Sequence, residues 1–252
     1  METEKIRIQK FFTDCGILSR RAAEEEIKKG RVKVNGTVAE VGQKIDPARD
    51  RVEYRGQVIE ATQKPRFTYV MLNKPRGYLS TVTDDRGRHT VTELVEDTGV
   101  RLYPVGRLDM DSEGLLLLTN DGELTNRLTH PKHEIPKIYH VKIRGTVTAE
   151  QVRALSAPME IDGYRILPVK TELISVKDDT SVLRMTLFEG RNRQIRKMCE
   201  SQSLDVLRLC RVAIGDVKLG NLAPGKWRYL TRTQVDYLKG KTSPKGKEHK
   251  PC

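Results

Sequence analysis

The longest uninterrupted aliphatic run is Leu115-Leu116-Leu117-Leu118, preceded by Gly114 and followed by Thr119 and the turn Asn120-Asp121-Gly122. A short apolar run bounded by turn signals reads as a buried strand. It falls far short of the roughly 20 residues a membrane span requires. The chain must therefore build its core from short strands and helices, and its 252 residues suffice for one large domain or two smaller ones. Aromatic residues make up 5% and charged residues 32%, the profile of a soluble protein. The first residues, Met1-Glu2-Thr3-Glu4-Lys5, lack the apolar segment of a secretory signal. Cys15, Cys199, Cys210 and Cys252 show no CxxC spacing, which argues against a zinc site and a disulfide framework. A reduced, cytoplasmic compartment is expected.

Charge points to a partner. Lys and Arg total 46 against 34 Asp and Glu, a formal net charge of +12. That balance predicts a polyanion, of which nucleic acid is the commonest.

The first sixty residues form a helix, helix and hairpin pattern. Ile6, Ile8, Phe11 and Phe12 have helical spacing, and Gly16 ends that helix. Ser19 is a natural N-cap for a second helix over 20–29. An alternating strand, Arg31 to Val34, then runs into the turn Asn35-Gly36. Residues 61–66, with few apolar groups and a proline, read as a linker. From residue 67 to 238 strands predominate, at 67–72, 102–108, 115–119, 137–144, 166–176, 181–188 and between 206 and 229. Helices are expected near 91–95 and over 123–128, 149–155 and 194–202. Thr148 and Gln151 have capping-box spacing for the helix at 149–155. The fold class is α+β with a mixed, largely antiparallel sheet. Residues 239–252, rich in Lys, Gly and Pro, read as a disordered basic tail.

Two segments carry the charge patterns that chemistry would need. Gly106-Arg107-Leu108-Asp109-Met110-Asp111-Ser112-Glu113-Gly114 places acids in a glycine-flanked loop between apolar strands. A strand-end carboxylate there suits catalysis, although position alone favours an ordinary acidic turn between two strands. Glu189-Gly190-Arg191-Asn192-Arg193-Gln194-Ile195-Arg196-Lys197 starts a basic helix, with Arg193, Arg196 and Lys197 on one face by i, i+3, i+4 spacing. That face suits phosphate contacts, pairing with the acidic loop, or plain solvation. In the N-terminal unit Arg20, Arg21, Lys28 and Lys33 form a small positive face without accompanying aromatics, a pattern for phosphate and shape recognition of folded RNA. His130 and His133 flank Pro131, with Glu134 adjacent, and do not supply a metal-ligand set. No metal site is expected.

These motifs in this order resemble a known family. Residues 8–36 resemble the small RNA-binding domain named after ribosomal small-subunit protein four. Residues 66–238 resemble the RsuA/RluB class of ribosomal RNA pseudouridine synthases, through Leu72-Asn73-Lys74-Pro75-Arg76-Gly77, Val105-Gly106-Arg107-Leu108-Asp109, Gly114 to Gly122, Lys137-Ile138-Tyr139-His140-Val141 and Glu189 to Arg196. The resemblance implies conversion of uridine to pseudouridine in RNA without cofactor. It implies Asp109 as the catalytic carboxylate, Tyr139 as the aromatic stacked on the target base, and Arg196 as the cation paired with the carboxylate. Arg107 is implied to help hold the flipped nucleotide, and Lys74 and Pro75 to be chiefly structural. A monomer acting on large-subunit ribosomal RNA is the expectation. A small-subunit target and a non-catalytic ribosome-assembly protein are the alternatives.

Overall fold

A computed structural model describes residues 5–60, 66–130 and 133–240. The chain divides into two compact units, one ending at Phe67 and the other beginning at Thr68. The linker expected at 61–66 falls, apart from Arg66, outside the described residues.

In the N-terminal unit, β1 (Ile6–Arg7) precedes α1 (Ile8–Asp14) and α2 (Arg20–Lys28). Ile6 belongs to the strand rather than to the helix, because β1 pairs with β4 (Lys44–Ile45). Ser19 caps α2 by accepting from the Ala22 amide at 3.2 Å. The hairpin of β2 (Val32–Val34) and β3 (Thr37–Val38) extends through β5 (Val52–Tyr54) to β6 (Gln57–Ile59), a four-stranded sheet in the order β3-β2-β5-β6. Ile8, Phe12, Ala23, Val32, Ile45 and Val52 are fully buried in one core.

The second unit is built on one large mixed sheet. Its strands begin with β7 (Tyr69–Lys74), followed after a 3-10 helix (Glu93–Thr98) by β8 (Tyr103–Pro104) and β9 (Glu113–Thr119). Helix α3 (Gly122–Thr129) leads to β10 (Lys137–Arg144) and α4 (Ala149–Ser156). A small hairpin of β11 (Glu160–Ile161) and β12 (Tyr164–Arg165) comes before the long strands β13 (Lys170–Lys177) and β14 (Thr180–Leu187). The chain ends through α5 (Gln194–Glu200), β15 (Val206–Ile214), β16 (Val217–Lys218), β17 (Trp227–Tyr229) and α6 (Arg232–Leu238). The sheet order is β13-β14-β10-β15-β9-β7-β17, with β16 on β15 and β8 on β9. β15 and β9 run parallel, while the other described pairs of this sheet are antiparallel.

The four leucines of β9 explain why it is central. Side chains alternate across a strand. Leu115 and Leu117 pack under α3 and α6 with Leu124, Leu128 and Leu238. Leu116 and Leu118 pack on the opposite face with Val70, Leu72, Val91 and Val95. A third cluster joins β10 and β14 to α4 and α5 through Val141, Leu155, Leu183 and Met198.

Some expectations are corrected. The strand expected over 102–108 is confined to Tyr103–Pro104, with one further hydrogen bond from the Val105 amide to the Leu117 carbonyl at 2.7 Å, because Gly106 turns the chain with a φ of 73°. The helix expected near 91–95 is a 3-10 helix displaced to Glu93–Thr98. Helix α6 has no counterpart among the expected elements, although Thr231 and Gln234 form a complete capping box. Lys239 is not part of a loose tail: its Nζ lies 2.9 Å from the Asp121 carboxylate. Residues 241–252 lie outside the described residues.

Gly114 is indispensable to the parallel pairing. Its φ is 104°, and a Cβ there would stand 2.7 Å from the Arg211 backbone nitrogen, with the Arg211 carbonyl closer still. Both neighbours are backbone of the paired strand, with Arg211 opposite Gly114 in register. Gly114→Ala is therefore expected to destabilise the second unit by about 3 kcal/mol through strain and clash, lowering its melting temperature by roughly 6–12 °C. Differential scanning calorimetry checks this.

Candidate active site

Residues 105–112 connect β8 to β9 and carry Asp109. The connection is tied down from two sides. Leu108 donates its amide to Ser80 Oγ at 3.1 Å, and that hydroxyl donates back to the Leu108 carbonyl at 2.8 Å. Lys74, at the end of β7, is fully buried, and its Nζ donates to the carbonyls of Pro75, Asp109 and Ser112 at 3.1, 3.0 and 2.8 Å. Burial pushes the Lys74 ammonium down to about 8, opposed by the negative charges of Asp109, Asp111 and Glu113. The Asp109 backbone is thus held while its carboxylate remains partly exposed.

Opposite the loop, the segment before α5 supplies cations. Arg193 is the N-cap residue with a left-handed φ of 50°. Its Nη1 lies 3.2 Å from Asp111 Oδ2 and 4.0 Å from Asp109 Oδ2. Arg196 pairs with Asp111, Nη2 to Oδ2 at 3.1 Å, and donates to the Asp111 carbonyl at 3.3 Å. The carboxylate partner of Arg196 is therefore Asp111, two residues along the loop from the expected Asp109. Lys197 turns to Asp162, in the β11–β12 turn. Adjacent helical positions point about 100° apart, so Arg196 and Lys197 serve different neighbours. Arg193 lies before the first turn, so the expected common face does not form.

Asp109, Arg107, Arg193 and Tyr139 line one cavity of about 270 Å³. Arg196 and Lys197 lie outside its lining. Tyr139 comes from the middle of β10, between Met185 on β14 and Arg211 on β15. The wall near it is apolar, with Leu187, Leu209 and Ile214. Two further cavity residues are absent from the candidates read from the sequence. Arg211 is nearly buried, and Lys137 stands on the same face of β10 as Tyr139. Signals for both exist: a lone Arg inside Leu209 to Ile214, and a Lys two positions before the aromatic.

Among the described residues no three His, Cys, Asp or Glu side chains gather as a metal-binding group. In the N-terminal unit, Lys28 pairs with Glu25 at 2.8 Å, so one of the four expected RNA-facing cations is partly neutralised. Glu26 takes Lys29, Arg31 and Arg55, and the Arg55 guanidinium above all holds its carboxyl down to about 2. Arg20, Arg21 and Lys33 are exposed and form no salt bridge among the described residues.

The family model described as RNA pseudouridylate synthase matches residues 68–201, the unit that carries this cavity. The chain belongs to the RNA pseudouridylate synthase family. The S4 domain model matches residues 6–52. The chain is 42% identical over 236 residues to the ribosomal large subunit pseudouridine synthase B of Bacillus subtilis, covering 92% of this chain and 95% of that protein. It is 38% identical over 231 residues to the dual-specificity RNA pseudouridine synthase RluF of Escherichia coli, covering 91% and 77%. A crystal structure of a pseudouridylate synthase superposes with a TM-score of 0.64 at 30% identity, covering 92% of this chain and 99% of that one. This pseudouridine synthase thus joins an S4 unit to a synthase unit, and no described helix is long and apolar enough to cross a membrane.

The Arg196 contacts predict how a conservative change behaves. A lysine has one head group and cannot hold both the carboxylate and the carbonyl of Asp111 in the planar geometry of a guanidinium. Arg196→Lys is expected to slow single-turnover pseudouridine formation by roughly tenfold, about 1.4 kcal/mol, with the RNA dissociation constant within about twofold. Rapid-quench kinetics and filter binding separate the two quantities.

Proposed function

We propose that this chain converts a uridine of ribosomal RNA to pseudouridine, with Asp109 as the catalytic carboxylate and large-subunit RNA as the target. The observation that carries the reading is the placement of the partly exposed Asp109 carboxylate in the same cavity as the Tyr139 ring, on a loop anchored by Lys74. The ribosomal target is supported by the name of the Bacillus subtilis relative, which the chain matches along nearly its whole length.

The reaction breaks the N1–C1′ bond, turns the uracil and joins C5 to C1′. An ionised carboxylate serves at the sugar, by attacking C1′ or by accepting a proton there while offsetting positive charge. The Arg193 guanidinium stands 4.0 Å from the Asp109 carboxylate, on the side of the cavity facing it. Tyr139 offers a flat face for a base already out of its stack, an interaction worth ~1–3 kcal/mol. Arg107, an exposed residue that lines the cavity, suits the phosphate or sugar of the extruded nucleotide.

Asp109→Asn keeps the volume and removes the ionisable group. The variant is expected to bind RNA normally and to release no tritium from ribosomal RNA labelled at uridine C5. Appreciable turnover by this protein would falsify the assignment.

The S4 unit is proposed to supply affinity rather than chemistry. Arg20, Arg21 and Lys33 are its exposed cations of choice, with Lys28 secondary because Glu25 shares its charge. Replacing Arg20, Arg21 and Lys33 by Ala is expected to flatten the slope of log K against log salt by roughly 0.7–0.9 for each phosphate no longer neutralised. The rate at saturating RNA is expected to stay within about twofold. A salt titration of RNA binding, with and without the three changes, reads the slope directly.

A further inference from the structure

The synthase cavity carries more positive charge than a pairing with Asp109 requires. Arg211 is only 5% exposed. Its Nε donates to the Leu115 carbonyl at 2.8 Å and its Nη1 to the Tyr139 hydroxyl at 3.5 Å. Its Nη2 is buried without a hydrogen-bond partner. Lys137 lines the same cavity and, among the described residues, forms neither a hydrogen bond nor a salt bridge. Burial, and secondarily the charge of Arg211, push the Lys137 amine down to about 8.

The surroundings leave these two cations without an internal counter-ion. Around Lys137, β14 contributes Leu187 and β15 contributes Ile214 and Arg211, while α3 contributes the uncharged Leu128 and Thr129. The 105–112 loop brings Arg107 and Asp109, and Asp109 faces Arg193. The segment before α5 brings Glu189, paired with Arg191 at 3.3 Å. Buried donors and charges left unmatched are costly. Such a pair is stabilised when a strong acceptor enters the cavity.

We propose that Lys137 and Arg211 form an anion pocket for the carbonyl oxygens of the target uracil, holding the negative charge that the base carries between leaving C1′ and re-bonding through C5. The inference rests on reading this cavity as the uridine site. When the N1–C1′ bond breaks, its electron pair stays on the base and spreads over N1 and the two carbonyl oxygens. The C5–C1′ bond then forms, C5 gives up its proton, and N1 gains one, so no oxidant or reductant is needed. Donors aimed at charge that develops during reaction raise the rate more than they raise affinity. The Arg211 guanidinium carbon lies 6.0 Å from the Tyr139 ring centroid, with Nη1 directed to the hydroxyl end. A base stacked on Tyr139 would present its edge, where the carbonyls are, to that side. The apolar wall of Leu187, Leu209 and Ile214 suits a base better than a phosphate.

The test compares the full-length wild type with Lys137→Met, Lys137→Arg and Asp109→Asn, using a large-subunit ribosomal RNA transcript tritiated at uridine C5. Lys137→Met is expected to lose roughly 100-fold in saturated single-turnover rate, with RNA affinity within about twofold. The amine is charged below its pKa and neutral above it, so wild-type kcat/KM is expected to fall as pH rises through about 8. Lys137→Arg, whose guanidinium stays protonated, should retain activity and show a shallower alkaline fall than the wild type, the remainder belonging to Lys74, which burial also holds down to about 8. Lys137→Met should be slow throughout and show only that remainder. A wild-type saturated rate in Lys137→Met, with Asp109→Asn inactive, overturns the anion pocket and leaves the reading of the site standing. Full activity in Asp109→Asn overturns the reading of the site itself. Weakened binding with a normal saturated rate in Lys137→Met assigns the lysine to phosphate and also overturns the proposal. If Lys137→Met melts at the assay temperature, Lys137→Arg decides: an unchanged alkaline fall in that variant overturns it.

Discussion

The buried ammonium of Lys74 is the interaction on which the synthase unit depends. An ammonium without water must find acceptors, and three backbone carbonyls supply them. Two of those carbonyls, of Asp109 and Ser112, bracket the turn that presents the Asp109 side chain. The three acids nearby, Asp109, Asp111 and Glu113, offset the cost of burying a cation. One side chain thus links the end of β7 to the loop before β9 and sets where the carboxylate can be. The loop needs this anchor because it contains only short turns of its own, such as the Ser112 amide donating to the Asp109 carbonyl at 3.0 Å.

Charge around the loop is distributed by distance rather than by sign alone. Asp111 takes the close contacts of both Arg193 and Arg196, leaving Asp109 at 4.0 Å from Arg193. Arg196, little exposed, ties α5 to the loop through the side chain and backbone of Asp111. This arrangement holds the position of Asp109 without saturating its oxygens with donors. Lys137 and the nearly buried Arg211 line the cavity together with the apolar Leu187, Leu209 and Ile214, where a charge is screened less by water. The same cavity therefore combines a carboxylate with cations set among apolar side chains.

Elements whose stability is local are legible in the sequence. β10 has the expected bounds, 137–144, with alternating burial over its second half, and the Thr148–Gln151 capping box and the Ser19 cap are present as their spacing implies. The Leu115–Leu118 run is buried on both faces, as an apolar run without polar alternation requires. Departures occur where contacts between distant segments override local preference. Ile6 joins a strand because Ile45 pairs with it, whereas the 102–108 strand is cut short by a local cause, the positive φ of Gly106. Helix α6 is seven residues long, and its Leu238 gains burial only in the core that α3, β9 and β15 complete.

By itself the sequence determined the two-part organisation, the strand-rich class of the second unit, the loop that carries Asp109 and the family to which these motifs belong. Those properties follow from apolar periodicity, glycine and capping chemistry, and residue order, all of which are local. Only the tertiary structure decided that Arg196 pairs with Asp111, that Lys197 turns to Asp162, and that Arg211 and Lys137 share a cavity with Tyr139. An ion pair depends on where two charges lie within a few ångströms of each other, and helical spacing specifies direction from one axis only. Sheet register brings Arg211 of β15 beside Tyr139 of β10, and the parallel pairing at Gly114 fixes that strand against β9. These alignments join residues 72 and 97 positions apart in the chain, and they exist only once the core between them has closed.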